Sequence, residues 1–232
     1  MTVMNLTKRL EQVATYVPQG AIVADIGSDH AYLPVYLKQK GQIEAAIAGE
    51  VVKGPYESAV SSVKEAGLTK DIEVRLGDGL QVIEAKDGVS CVTICGMGGE
   101  LIASILEAGK KGGHITGQER LVLQANVAEH LVRKWLVANN YQIIAEEILE
   151  DNHRIYEIIV AEQVAEAVVY SELEIQHGVF LTKEKPALAR AKWLGLIQKN
   201  QYVLDQLAKS STPQVEKMKK VQQEMDMLKG LL

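Results

Sequence analysis

Five short apolar runs, AIVAD (21–25), AAIAGE (45–50), IEVRL (72–76), VSCVTIC (89–95) and RLVLQ (120–124), are separated by segments long enough to hold a crossover helix. Runs this short, without strict alternation, are strands buried on both faces, and a parallel sheet covered by helices on each side is the arrangement that buries them so. After them, QIIAEEIL (142–149) and IYEIIVA (155–161) flank the polar stretch EDNHR. So short a connection permits antiparallel pairing, and this pair is expected to close the sheet as a hairpin. Ahead of the first strand, Leu6, Leu10, Val13 and Val17 repeat at helical spacing until Pro18, which predicts a leading amphipathic helix.

From about Val164 the β signal fades, so the expected division is an α/β domain over 1–164 and a helical domain over 165–232. Two helices are expected there, over 186–210 and 213–230, packed as a hairpin or short coiled coil. Their apolar positions are Leu188, Trp193, Leu194, Ile197 and Leu204 on one, and Val215, Met218, Val221, Met225 and Leu228 on the other. Between them SSTPQ offers Ser or Thr as a cap and Pro213 as a first-turn residue.

The two cysteines, Cys91 and Cys95, fall in one apolar run. On a strand their α-carbons lie ~13 Å apart, too far to bridge, so neither a disulfide framework nor a zinc set is expected. The N-terminal MTVMNLTKRLEQV has no apolar core of a signal peptide, and no apolar stretch is long enough to span a membrane, so a cytoplasmic protein is expected. Net charge is −5, which taken alone argues against nucleic acid. The average hides a gradient: residues 1–164 carry 15 Lys and Arg against 22 Asp and Glu, whereas 165–232 carry 10 against 8. Lys183, Lys185, Arg190, Lys192 and Lys199 make a local basic face in the second segment.

The first strand runs into a turn, VADIGSDHAYLP (23–34). A dinucleotide fingerprint needs two further glycines after Gly27, and Asp29 would set negative charge against a pyrophosphate; no G-K-[ST] follows to make a phosphate loop. A ribose-bearing ligand with a cationic or zwitterionic tail tolerates the acids better, and S-adenosylmethionine is one, with its sulfonium, its ammonium and a single carboxylate. The other strand ends agree. Glu50 closes the second run, where a carboxylate can accept ribose hydroxyls; Asp78-Gly79 follows the third, where an acid can accept the adenine amino group; the glycine cluster ICGMGG follows the fourth. Singly, each could be a cap, a turn or a close-packing bend. As an ordered set they mark one crevice.

ADIGSDHAYLP, AGE, GDGL, CGMGGELI, LVLQANV and FLTKEKP together resemble the bacterial tRNA (adenine(22)-N1)-methyltransferase family. The resemblance implies a Rossmann-like class I methyltransferase domain, S-adenosyl-L-methionine as cofactor, tRNA as partner, no metal and no membrane association. Oligomeric state stays open, with a monomer favoured. It places Asp25, Gly27, Ser28 and His30 at the methionine moiety, Glu50 at the ribose, Asp78 and Gly79 at the adenine, and Gly96, Met97 and Gly98 along the path of the methyl group. Asp29 would be the acid nearest the chemistry. CGMGG and LQAN stand where AGMGG and LQPN are expected, and Asn126 is a substrate candidate.

N1 of adenine has an in-plane lone pair and no proton, so attack on the sulfonium methyl is an in-line displacement in which positioning supplies most of the rate. Asp29 is expected to accept from the N6 amino group as positive charge develops on the base. N1 lies on the pairing edge, so the base must be everted; Tyr32 is the stacking candidate. Lys8 and Arg9 with Lys183, Lys185, Arg190 and Lys192 are the candidates for phosphate contacts. Two other readings share the fold: a small-molecule methyltransferase, and an RNA-binding module without turnover.

Overall fold

The computed structural model describes residues 4–209 and 214–232. The chain separates into two compact units, Met1–Tyr170 and Ser171–Leu232.

The first unit is built on a seven-stranded mixed sheet in the order β3-β2-β1-β4-β5-β7-β6. Its strands are β1 (Ala21–Ile26), β2 (Ile43–Glu50), β3 (Ile72–Leu76), β4 (Cys91–Gly98), β5 (Arg120–Val127), β6 (Tyr141–Asp151) and β7 (Arg154–Gln163). The first five pair in parallel, and β7 runs antiparallel to both β5 and β6. Each apolar run of the sequence became a strand; the central ones have almost no wet face, whereas β3 at the sheet edge keeps Glu73 and Leu76 exposed. In β5, five successive residues, Leu121 to Ala125, are buried. The closing hairpin is tighter than EDNHR suggests. Pairing continues to Asp151 and Arg154, and only Asn152 and His153 turn, both left-handed at φ 50° and 61°. A two-residue turn with both φ values positive matches the twist of the flanking strands, and Asn tolerates that region better than most residues.

Helices α1 (Lys8–Thr15), α2 (Tyr32–Gln39) and α3 (Lys53–Glu65) lie side by side, whereas α4 (Gly99–Lys111) packs against α5 (Glu129–Ala138). The core beneath the first group holds Val13, Leu33, Val35, Leu37, Ala59 and Val63 with the sheet residues Val23, Ala46 and Val122. The leading helix is shorter than the Leu6–Val17 pattern, since the Thr7 hydroxyl accepts the Leu10 N–H at 3.3 Å and starts it at Lys8. Strands β1, β2 and β3 build the sheet one way and β4 and β5 the other, so the order reverses between β1 and β4. That reversal leaves a crevice beyond the carboxyl ends of those two strands.

The second unit consists of α6 (Glu172–His177), α7 (Leu181–Glu184), α8 (Ala187–Ala208) and α9 (Val215–Leu231), with α8 and α9 packed on each other. Trp193 is fully buried with Ala189, Leu204, Met225, Leu228 and Leu231. Leu194 and Val215, at helical spacing in the sequence, face out instead, 47% and 65% exposed. The expected cap and first-turn proline, Ser210 to Pro213, lie outside the described residues. Among the described residues no helix is long and apolar enough to cross a membrane, and no group of His, Cys, Asp and Glu could hold a metal ion.

Candidate active site

The turn after β1 is held by backbone rather than by a run of glycines. Gly27, at φ 69°, and Ser28 both donate their N–H groups to the Gly49 carbonyl, at 2.9 and 3.2 Å. Asp29 donates its N–H to the Glu50 carboxylate. Asp29 and Ala31 are both left-handed at φ 56° and are followed by α2, which starts without a side-chain cap. Non-glycine residues in that region cost of order 1 kcal/mol each and persist only where the surroundings fix them. Here the ends of β1 and β2 fix them. Gly27 is required for its φ; a β-carbon there would meet only the terminal methyl of Met97, a flexible side-chain end that can move aside.

Asp25 is 5% exposed, and both its oxygens are used: Ser28 Oγ donates to one and Thr93 Oγ1 to the other, each at 2.6 Å. Burial raises its carboxyl above the usual range against the pull of those two hydroxyls; the nearby Glu50 charge raises it further, and Arg9 acts the other way. Glu50 is 6% exposed. Among the described residues neither acid is in a salt bridge. Next along the sheet edge, Gly77 donates its N–H to the Glu50 carbonyl at 2.8 Å, and Asp78 stands exposed before a 3₁₀ turn over Gly79–Val82. Gly79 has φ 54°, and a β-carbon there would lie 3.1 Å from Ile105.

On the other side of the reversal, Gly96 is left-handed at φ 79° and is gripped at both ends of its peptide. Gln124, fully buried, accepts the Gly96 N–H at 3.0 Å, and Asn126 donates its amide to the Gly96 carbonyl at 2.8 Å. Gln124 in turn donates to Asn126 Oδ1 at 3.1 Å. Gly98 precedes α4, and Gly99 has no room for a β-carbon because the Ala128 carbonyl lies against it.

A cavity of about 250 Å³ gathers Asp25, Gly27, Ser28, Asp29, Tyr32, Cys95, Gly96 and Arg9. Burial pushes the Cys95 thiol up, which keeps it a neutral wall rather than a nucleophile. The Asp29 side chain is 71% exposed at the mouth, and the His30 ring stacks on Tyr32 with centroids 4.9 Å apart. Glu50, Asp78, Gly79, Met97 and Gly98 continue the same edge outside this cavity.

The phosphate candidates are placed unevenly. Lys8 is exposed, but Arg9, one residue on, reaches inward: its guanidinium donates to Gln124 Oε1 at 2.5 Å and lies 5.5 Å over the Tyr156 ring. In the second unit Lys183 pairs with Glu174 at 3.1 Å, and Arg190 donates to the Lys185 and Leu232 carbonyls, each at 3.0 Å. Lys185 caps α7 in a left-handed conformation at φ 47°, and Lys192 is half-buried on α8.

Thr93 and Gln124 were missed in the sequence because they look like strand interior; a polar residue in an otherwise apolar run was the only sign. Arg133 was missed too. It is fully buried, donating to Glu146 at 2.7 Å and to Glu157 at 2.5 Å, and its place in an amphipathic helix gives no hint of this.

Residues 23–230 match the family model of TrmK, tRNA (adenine(22)-N(1))-methyltransferase. The tRNA (adenine(22)-N(1))-methyltransferase of Bacillus subtilis is 42% identical over 100% of this chain and 99% of its own length. Streptococcus pneumoniae Sp1610, solved in complex with S-adenosyl-L-methionine, is 43% identical with a TM-score of 0.89, covering 98% of this chain and 100% of that one. The TrmK of M. capricolum, solved with S-adenosyl-homocysteine, is 28% identical with a TM-score of 0.85, covering 97% and 96%. With the acid-lined crevice at the strand reversal and a match across nearly its whole length, the chain belongs to the TrmK family of tRNA (adenine(22)-N(1))-methyltransferases.

Proposed function

We propose that the chain transfers a methyl group from S-adenosyl-L-methionine to N1 of adenine 22 in tRNA. The observation that carries the reading is the pair of buried carboxylates, Asp25 and Glu50, close to each other at the carboxyl ends of the neighbouring strands β1 and β2, with no salt-bridge partner among the described residues. Buried charges are ordinarily paired. A cationic nucleoside supplies the missing charge, and a pyrophosphate would worsen the imbalance.

In this reading Glu50 receives the ribose hydroxyls and Asp78 with Gly79 borders the adenine. Asp25 keeps the Gly27–Ser28 turn in shape around the methionine end, with His30 beside it. Gly96, Met97 and Gly98 line the methyl path without crowding it. The bound cofactor supplies an electrophilic methyl. The protein's part is to hold adenine N1 in line with it, and Asp29, exposed at the cavity mouth, accepts from the N6 amino group as charge develops. The His30–Tyr32 stack offers a ring face to the everted base. Lys8 and the basic residues Lys183, Lys185, Arg190 and Lys192 contact tRNA phosphates, in a cytoplasmic protein.

The test is to incubate the full chain with labelled cofactor and unmodified tRNA, and to map the product. One 1-methyladenine at position 22, absent from a transcript carrying guanine there, is the expected outcome; label on small metabolites alone, or cofactor binding without turnover on any tRNA, would overturn the reading. Asp29→Ala is expected to lower kcat by ~100-fold or more while cofactor affinity changes by less than about threefold. Methylation at the wild-type rate would remove Asp29 from the chemistry.

A further inference from the structure

Gly98 and Gly99 stand side by side where β4 runs into α4, and the fold explains only one of them. A β-carbon on Gly99 would run into the Ala128 carbonyl, which is backbone and cannot step aside. Gly98 is under no such constraint. Its φ of −72° and ψ of 146° suit any residue, and among the described residues a β-carbon there would meet nothing closer than Val127 Cγ2, at the ordinary contact distance of 3.9 Å. Gly98 is also the N-cap of α4, where Ser, Asp or Asn would satisfy a free N–H group, and α4 starts without a side-chain cap. The glycine gives up a cap and gains nothing in conformation or packing.

What the missing side chain leaves is a gap flanked by two bare apolar groups. Val127 pairs in register with Gly98 and is 64% exposed. Leu101, three residues on from Gly98 and so on the same face of α4, is 53% exposed. Val127 is presented by a clamped segment. Asn126 before it is tied to the Gly96 carbonyl and to Gln124, and Ala128 after it is left-handed at φ 59° with its carbonyl against Gly99. A left-handed alanine persists only where its surroundings fix it, and such outliers gather at functional sites. In the proposed function Gly96, Met97 and Gly98 line the methyl path, so the group that receives the methyl comes to this gap.

We propose that Val127 is a substrate-contacting residue: the everted adenine lies over Gly98 with the face of its ring packed on the Val127 side chain. The proposal deepens the proposed function and rests on it. An adenine is apolar on its faces and polar at its edge, so an apolar wall takes the face and leaves the pairing edge, N1 included, to the methyl path and Asp29. An atom placed where a β-carbon on residue 98 would be already touches Val127, so a ring there makes the contact without any movement of the chain. The His30–Tyr32 stack belongs to the β1 side of the strand reversal. Val127 supplies the contact from the β5 side, and Gly98 stays bare because the substrate base occupies the space its side chain would fill.

The experiment is methylation of an unmodified tRNA transcript by the full chain, with S-adenosylhomocysteine calorimetry and thermal melts on the same preparations. Val127→Ala removes two methyl groups from the contact and is expected to lower kcat/KM for tRNA by roughly tenfold, with S-adenosylhomocysteine affinity within about twofold of wild type. The melting temperature should hold, because the side chain is exposed. Val127→Ile keeps the apolar wall and should recover to within about threefold of wild type. Gly98→Ser is the second arm: its hydroxyl can cap α4, so it should melt no lower than wild type, yet its β-carbon fills the gap and should slow tRNA methylation by roughly tenfold or more. If one of the two positions does not tolerate substitution, the other carries the test. Val127→Ala at the wild-type rate, Val127→Ile as slow as Val127→Ala, a fully active Gly98→Ser, or cofactor affinity lost in step with rate would overturn the proposal. So would a wild type that sediments as a dimer which Val127→Asp separates, since the gap would then seat a second copy of the chain. A wild type that leaves the tRNA unmethylated refutes the proposed function and takes this proposal with it, whereas an active wild type matched by Val127→Ala refutes this proposal alone.

Discussion

Under α5 and at the carboxyl ends of β1 and β2 the sheet buries two pairs of carboxylates, and it keeps them by opposite means. Glu146 and Glu157 close on Arg133, which is itself without exposure. Burial works to lower the Arg133 value, yet Glu157 and Glu146 outweigh it and hold the guanidinium charged. Asp25 and Glu50 have hydroxyls and a backbone N–H instead, and Asp25 is left with a raised carboxyl value because desolvation prevails. The first cluster completes its charges from within the chain and ties α5 to the closing hairpin. The second is incomplete in the chain alone, which is the condition for a ligand to matter energetically.

If that contrast is right, damage to the two clusters differs in kind. Arg133→Met leaves two buried glutamates without their cation, and unfolding by urea should show a loss of about 3–5 kcal/mol, or no folded protein. The combined Arg133→Met, Glu146→Leu, Glu157→Leu chain should regain most of that loss, because no charge is then stranded. A single variant as stable as wild type would mean that water reaches the cluster.

Glu50→Gln is a smaller and different injury. The Gln side-chain oxygen can still receive the Asp29 N–H, so the turn is kept, while the charge offered to a ribose is gone. Cofactor affinity should fall by roughly tenfold, a loss of about 1.4 kcal/mol, with the urea midpoint nearly unmoved. Equal losses in affinity and in stability would mean that Glu50 serves the fold as Arg133 does.

The contrast also marks how far the sequence could be read. Asp25 and Glu50 were readable because each ends a short apolar run, and a strand end in a parallel sheet is a place with a predictable neighbourhood. The fates of Lys8 and Arg9 were not. Successive helix residues point about 100° apart, and Arg9 meets partners at Gln124 and Tyr156 that only the folded sheet brings near. Arg133 looked like any cation on an amphipathic helix, and Glu146 and Glu157 like the outward positions of strands. Local pattern reports which way a residue tends to face, whereas the pairing of buried charges is decided by long-range contacts. The hairpin turn failed for a smaller reason: EDNHR reads as five polar residues, and ladder pairing at Asp151 and Arg154 consumes all but the two that can sit left-handed or nearly so.

Asp25→Asn should move stability least and reveal the contrast most directly through pH. Asparagine has the same shape and can keep contacts to Ser28 and Thr93, whose hydroxyls rotate to suit, so at neutral pH the change in unfolding free energy should stay within about 1 kcal/mol. Its sign with pH follows from the raised carboxyl. A carboxylate whose folded value lies above its unfolded one favours the folded state fully below the unfolded value of 3.8, and loses that contribution as pH rises through the folded one. Relative to Asp25→Asn, wild type should therefore be at its best near pH 3 and lose ground as pH climbs, with the gap constant once Asp25 is ionised in both states. Urea titrations of the two proteins across that range measure the gap. A wild type that gains on the variant with rising pH would show Asp25 to be stabilised as a charge, like Glu157 beside Arg133, and the two carboxylate pairs would then be alike.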